Sequence, residues 1–211
     1  ELFDLRHTMA ASLLETCEYP WQALAGIKDL ILQLGAGLGE EYTQVSPGVW
    51  VHRTAKVAPT AYLGAPCIIG AETEVRHCGI IRGSALVGNS TELKNVILFD
   101  RVQVPHYNYV GDSILGYKAH MGAGSITSNV KSDRTLVVVK NGWEQIPTEL
   151  KKFGAMLGDG VEVGCNSVLN PGTVVGRSTN IYPLSCVRGV IPADSIVKTG
   201  GVIVKKEHEN G

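Results

Sequence analysis

The chain has 211 residues, 44% of them hydrophobic and 18% charged, and a formal net charge of −1. That length suits one large domain, or one domain with an accessory piece. The near-neutral balance gives no electrostatic case for nucleic acid or an acidic membrane surface as a partner, and no apolar run is long enough to span a bilayer. Five cysteines (Cys17, Cys67, Cys78, Cys165 and Cys186) are scattered, odd in number and form no CxxC pair. They read as free thiols filling core and corner positions in a reducing cytoplasm, not as disulfides or a zinc knuckle. No signal peptide is read ahead of the fold, and the free thiols make the cytoplasm the expected location. Twenty-five glycines beside few aromatics argue against a helical bundle and for many tight turns.

Residues 1–44 read as a helical cap. Thr8 to Thr16 carries Leu13 and Leu14 among good helix formers, and Pro20 sits where a first helical turn tolerates it. Trp21, Leu24, Ile27, Ile31 and Leu34 then follow at helical spacing, and Gly35 and Gly37 end the element. This amphipathic pair is expected to pack on the main domain as a cap or a subunit contact.

From Val51 a different rule governs the chain. Val51, Val57, Leu63, Ile69, Val75, Ile81, Val87, Leu93 and Phe99 recur at every sixth position. A mostly small residue stands four places after each: Ala55, Ala61, Cys67, Thr73, Gly79, Ala85, Thr91. This period fits neither a lone helix nor an ordinary alternating strand series; it predicts a parallel β-helix of hexapeptides over residues 45–204. Each hexapeptide supplies a short strand and a corner. The aliphatic residue points inward and stacks on its equivalent one coil away, at about 4.8 Å. The small residue fits the corner.

The period slips at Pro105 and is expected to resume in a new phase at Tyr109, Leu115 and Met121. Residues 131–156 abandon it and read as an inserted loop, with Trp143 expected to anchor it on its own subunit. The repeat returns at Leu157, Val163, Leu169, Val175, Ile181 and Val187, with Ser167, Thr173, Thr179 and Ser185 at the small positions. A last strand from Ser195 precedes a polar tail, 205–211. Solenoid ends need covers, and the N-terminal helices and this tail are the candidates.

The stretch Val104 to Asp133 interrupts the repeat and concentrates histidine, tyrosine, glycine and asparagine. Its runs VPHYNYVGDSILG and MGAGSITSN resemble the acetyltransferase domain of bifunctional N-acetylglucosamine-1-phosphate uridyltransferases and their sugar-phosphate relatives. The matching residues are His106, Tyr109, Gly111, Asp112, Gly122, Ala123, Gly124, Ile126, Thr127 and Asn129. The resemblance covers roughly residues 50–200. It implies a left-handed β-helix with triangular coils, a homotrimer with the site between neighbouring coils, and acetyl-CoA as co-substrate. The implied reaction is acetyl transfer to the amine of an amino-sugar 1-phosphate, in UDP-N-acetylhexosamine synthesis. No Gly-rich nucleotide loop is found before residue 50, so a separate nucleotidyltransferase is the expected partner.

The chemistry is coherent on its own terms. An ammonium cannot attack a thioester, so a base must take the proton, and histidine is the usual choice near neutral pH. The thioester oxygen gains charge and needs fixed donors such as backbone N–H groups in a Gly-rich turn. His106 is expected to be the base and the Ala123 N–H the donor. By resemblance, Tyr109, Asn129 and His120 (where the family usually has Asn) line the sugar site, and Arg82 and Lys94 hold its phosphate. The spacing from Arg82 to Lys94 is one hexapeptide shorter than the family pattern. Cys165, Pro183, Arg177 and Arg188 are expected at the CoA site, together with Ala123.

Two other functions suit the same residues. One is a non-catalytic or regulatory sugar-nucleotide binder working beside a nucleotidyltransferase; acetyl-CoA binding separates the two. The other is a metal hydratase of the hexapeptide fold, with His77, His106 and His120 available but no closely spaced His pair; no metal is expected.

Overall fold

The computed structural model describes residues 2–75 and 85–207, with the side chain of Asn89 left aside. The hexapeptide region is a solenoid of stacked parallel strands, as the six-residue period predicts. Its faces follow one another along each coil. One face is a nine-stranded sheet from Lys56–Val57 to Ile203–Lys205. It includes Gln103–His106, His120–Met121, Glu162–Val163 and Asn180–Ile181. The other two faces share the strands Glu92–Leu98 and Tyr109–Leu115, which run through the corner between them. At its start Tyr109–Leu115 pairs with Ile126–Thr127, and at its end with Ala155–Leu157.

Register explains the interior. Val87, Val104, Met121, Val163, Ile181 and Val197 stack on one face, and Leu98, Leu115, Leu157, Val175 and Ile191 on another. All are buried. The small corner residues Thr73, Ala85, Thr91, Ser167, Thr173, Thr179 and Ser185 are buried too. At two of these corners the hydroxyl answers the polar backbone of the turn: Ser185 Oγ donates to the Tyr182 carbonyl at 2.6 Å and Thr173 Oγ1 to the Asn170 carbonyl at 2.6 Å.

Coil length is not uniform. Glu162 pairs with Asn180, eighteen residues on, whereas Leu93 pairs with Val110, seventeen on, and Glu74 with Leu86, only twelve on. The phase slip therefore begins before Pro105. Leu98, not Phe99, takes the stacked position, and Val110, not Tyr109, faces inward. Phe99 is buried against Phe3, ring centroids 5.1 Å apart.

The N-terminal segment is helical in short pieces: Leu5–His7, Ala11–Leu14, Pro20–Ala25 and Ile27–Ala36. It lies along a flank of the solenoid, against Glu92–Leu98 and Tyr109–Leu115. Trp21 packs beside Phe153 at 5.6 Å, and the outward side chains Ile97, Ile114 and Met156 are buried. Antiparallel strands adjoin the parallel stacks at both ends of the chain: Tyr42–Ser46 on Val49–His52, and Ile203–Lys205 on Ser195–Val197. Each reverses direction, so the stack does not offer a further parallel edge there.

The insertion at 131–156 holds a hairpin of Val138–Asn141 and Glu144–Pro147, turned by Gly142 and Trp143 with Gly142 at φ +59°. Its base is fixed by buried Val137, Val139 and Phe153. Trp143 does not anchor it: this side chain stands fully exposed at the tip. The anchoring residues lie at the foot of the hairpin, where strand alternation turns Val137 and Val139 inward.

Candidate functional site

Two corner turns carry the expected chemistry. The strand Gln103–His106 ends at the corner leading to Tyr109, and one coil on, His120–Met121 leads into Gly122, Ala123 and Gly124. The turns are stacked in contact: the Gly124 N–H donates to the His106 carbonyl at 3.1 Å. The column continues downward, with the Asn166 N–H donating to Ala123 O at 2.8 Å and the Leu184 N–H to Cys165 O at 2.9 Å. His106, Ala123, Cys165 and Pro183 thus share one edge of the prism. His106, Cys165 and Pro183 are exposed. Among the described residues, the His106 imidazole and the Ala123 N–H have no hydrogen-bond partner.

Local backbone explains the crowding. Gly124 has φ +70° and lies against Asn166 Oδ1, so a side chain there is excluded twice over. Tyr107 has φ +37°, an uncommon conformation for a bulky residue, and reverses the chain right after His106.

A second cluster occupies the next edge. Asp112 is buried, 7% exposed, and accepts from Asn95 Nδ2 at 2.8 Å and from Asn129 Nδ2 at 2.6 Å. Asn129 Nδ2 also donates to Tyr109 Oη at 3.2 Å. Burial foremost, then the nearby Glu92 and Asp112 carboxylates, pushes the Tyr109 phenol up, partly opposed by the Asn129 bond. The phenol is therefore a neutral donor-acceptor at physiological pH. Gly111 makes room for it: a Cβ there would lie 2.5 Å from Tyr109 Oη. Lys94 is exposed and sits opposite Gly111 in the ladder. Tyr109, Asn129 and Lys94 are thus brought together at this edge, whereas His106 lies at the other edge of the same face.

His120 faces outward on the nine-stranded sheet, directly opposite Glu162, with Nδ1 2.7 Å from Glu162 Oε2. The carboxylate fixes one edge of the imidazole through Nδ1. Arg177 is on the third edge: Nη2 donates to Asp159 Oδ2 at 2.9 Å and Nε to the Leu2 carbonyl at 3.2 Å, pinning the N-terminal segment. Arg188 is exposed at the corner below Asn170. Neither arginine joins the His106 column within one chain. Arg82 lies outside the described residues, as do Ile81, Cys78 and His77. Among the described residues no group of three His, Cys, Asp or Glu could hold a metal ion, and no helix is long and apolar enough to cross a membrane.

The sequence reading missed Asn95, Asn108 and Glu162. The signal for Asn95 was weak, since its role comes from a corner with φ +55° and not from a motif. Glu162 was findable in principle, because a residue directly opposite another in the ladder follows once the coil length is known.

No protein-family model matches the chain. The bifunctional protein GlmU of Methanococcus vannielii is 33% identical over 141 residues, covering 66% of this chain and 34% of that protein. A bifunctional sugar-1-phosphate nucleotidylyltransferase/acetyltransferase of Sulfurisphaera tokodaii is 26% identical over 174 residues, covering 78% and 43%. Among solved structures, the acetyltransferase domain of PglB from Neisseria gonorrhoeae in complex with acetyl coenzyme A aligns with TM-score 0.35 and 18% identity, covering 82% of this chain and 62% of that one. AntD, an N-acyltransferase from Bacillus cereus in complex with dTDP and 3-hydroxybutyryl-CoA, aligns with TM-score 0.43 and 13% identity, covering 76% and 79%. The chain spans about a third of the Methanococcus protein's length, and the similarity extends over about two thirds of its own.

Proposed function

We propose that this chain transfers an acetyl group from acetyl-CoA to the amine of an amino-sugar 1-phosphate. The observation that carries the reading is the direct stacking of the His106 turn on the Gly122–Ala123–Gly124 turn. A base and a fixed backbone donor stand one coil apart on one edge. His106 takes the amine proton as nitrogen attacks the thioester carbon. The Ala123 N–H stabilises the oxygen that gains charge. Collapse of the tetrahedral intermediate breaks the C–S bond, and the CoA thiolate leaves with a proton. The exposed edge through Cys165 and Pro183 supplies the path for the CoA arm. Tyr109 and Asn129 hold sugar hydroxyls, His120 offers Nε2 to the sugar, and Lys94 and Arg82 meet the phosphate.

The site is completed in a homotrimer, where a neighbouring copy brings Arg177 or Arg188 towards the CoA phosphates. A separate nucleotidyltransferase consumes the product. The name of the Sulfurisphaera tokodaii relative, a bifunctional sugar-1-phosphate nucleotidylyltransferase/acetyltransferase, supports this reading. The spacing from Arg82 to Lys94, one hexapeptide shorter than the resembled family's pattern, favours a second one, a sugar-nucleotide binder without turnover.

The test is thiol release from acetyl-CoA with glucosamine 1-phosphate and galactosamine 1-phosphate. Release with one of them supports transfer. Acetyl-CoA binding without release, in folded protein, favours the second reading.

A further inference from the structure

The geometry points to Asn108 as a positioning residue that locks the His106 turn onto the Gly122–Ala123–Gly124 turn; this rests on the acetyltransfer reading above. Asn108 is 2% exposed, and its amide reaches both turns at once. Oδ1 accepts from the His106 N–H at 3.1 Å. Nδ2 donates to the Gly122 carbonyl at 2.9 Å, the Ser125 carbonyl at 3.0 Å and Ser125 Oγ at 3.2 Å. The Asn108 backbone is fixed from the preceding coil, its N–H donating to Thr91 Oγ1 at 3.4 Å and its carbonyl accepting from the Glu92 N–H at 2.9 Å.

No other side-chain type does this from the same place. A short amide presents an acceptor to one turn and two donors to the next, and it spans one coil. The lower turn of this edge is held to its neighbour differently, with Ser167 Oγ donating to the Tyr182 carbonyl at 3.1 Å and accepting from the Ser185 N–H at 3.2 Å. Among the described residues of this edge, the amide occurs only at the level where His106 and Ala123 meet. It sits beside Tyr107, whose φ of +37° needs support from its surroundings. The consequence is a fixed offset between the imidazole-bearing turn and the Ala123 N–H. An offset error of 1 Å at reacting groups costs on the order of 100-fold in rate.

The experiment compares Asn108→Ala and Asn108→Ser with the unaltered chain, measuring kcat and KM for acetyl-CoA well below the melting temperature. Ala is expected to lower kcat at least tenfold with KM within about threefold, the pattern of lost alignment. Ser, whose hydroxyl can still accept from the His106 N–H, is expected to fall between. On the residual release that long incubation detects in a His106→Ala background, Asn108→Ala is expected to cost nothing further, because it acts through His106. Unchanged kcat in Asn108→Ala, or an equal further loss in the His106→Ala background, overturns the proposal. Hydrogen exchange separates its failure from failure of the acetyltransfer reading. Asn108→Ala is expected to speed exchange at residues 105–109 and 122–126 but not at 164–168. If the unaltered chain releases no thiol, acetyltransfer fails, yet faster exchange confined to those two turns still establishes the lock. Unchanged exchange there refutes it.

Discussion

Gly111 and Tyr109 show how one missing methyl shapes a site. A Cβ at Gly111 would lie 2.5 Å from Tyr109 Oη and 2.8 Å from Asn129 Nδ2. Gly111→Ala is therefore expected to push the phenol off Asn129 and cost about 1–3 kcal/mol of stability. Denaturant unfolding checks the cost, and weaker sugar binding beside unchanged acetyl-CoA binding checks the displacement. Cys67 tests burial. Its thiol is pushed up from 9.0 to about 12 by burial. Between those values the unfolded chain has lost the proton that the folded chain keeps, so stability falls as pH rises through that window. Cys67→Ala is expected to lose less stability from pH 9 upward than the unaltered chain, measured by urea midpoints; parallel curves would contradict the assignment. The motif residues His106, Ala123 and Asn129 were legible because a histidine, a Gly-flanked turn and a corner amide are local features. Tyr109 was misread as inward because the step from Val110 to Leu115 is five residues, as is that from Leu93 to Leu98 one coil earlier, and a shift of one flips a side chain to the other side of a strand.

The helical segment and the hairpin belong to the next scale. Trp21 is 4% exposed and stacks on Tyr19 at 4.6 Å while packing beside Phe153. Trp21→Ala is expected to cost about 3–5 kcal/mol, seen as an earlier urea transition. Trp143→Ala, by contrast, is expected to change stability by no more than about 0.5 kcal/mol, since the side chain touches nothing that the fold needs. A large loss there would mean that the hairpin tip packs against something. Helical spacing located the segment from Trp21 to Leu34, but its lie along the solenoid was not written in it. An amphipathic helix states which side it buries, not the surface it meets. The hairpin's turn glycine, Gly142, was in plain view, yet the insertion was read as a loop, because loss of one repeat conceals a different one.

At the scale of the molecule, coil length decides what meets what. Steps of eighteen, seventeen and twelve residues occur within the nine-stranded face, and the turns at His106 and Ala123 coincide because seventeen separates them. Hexapeptide period revealed the solenoid; it could not reveal shortened coils, since one dropped hexapeptide leaves the period intact. Light scattering is expected to give a homotrimer, and a monomer would leave Arg177 and Arg188 remote from the His106 edge. The most direct test of the account is thiol release by His106→Ala beside the unaltered chain, with melting and oligomeric state measured on the same samples. The account predicts release with an amino-sugar 1-phosphate, lost in His106→Ala, while melting stays within about 0.5 kcal/mol of equivalent stability because the side chain is exposed. Release that survives the substitution would contradict it.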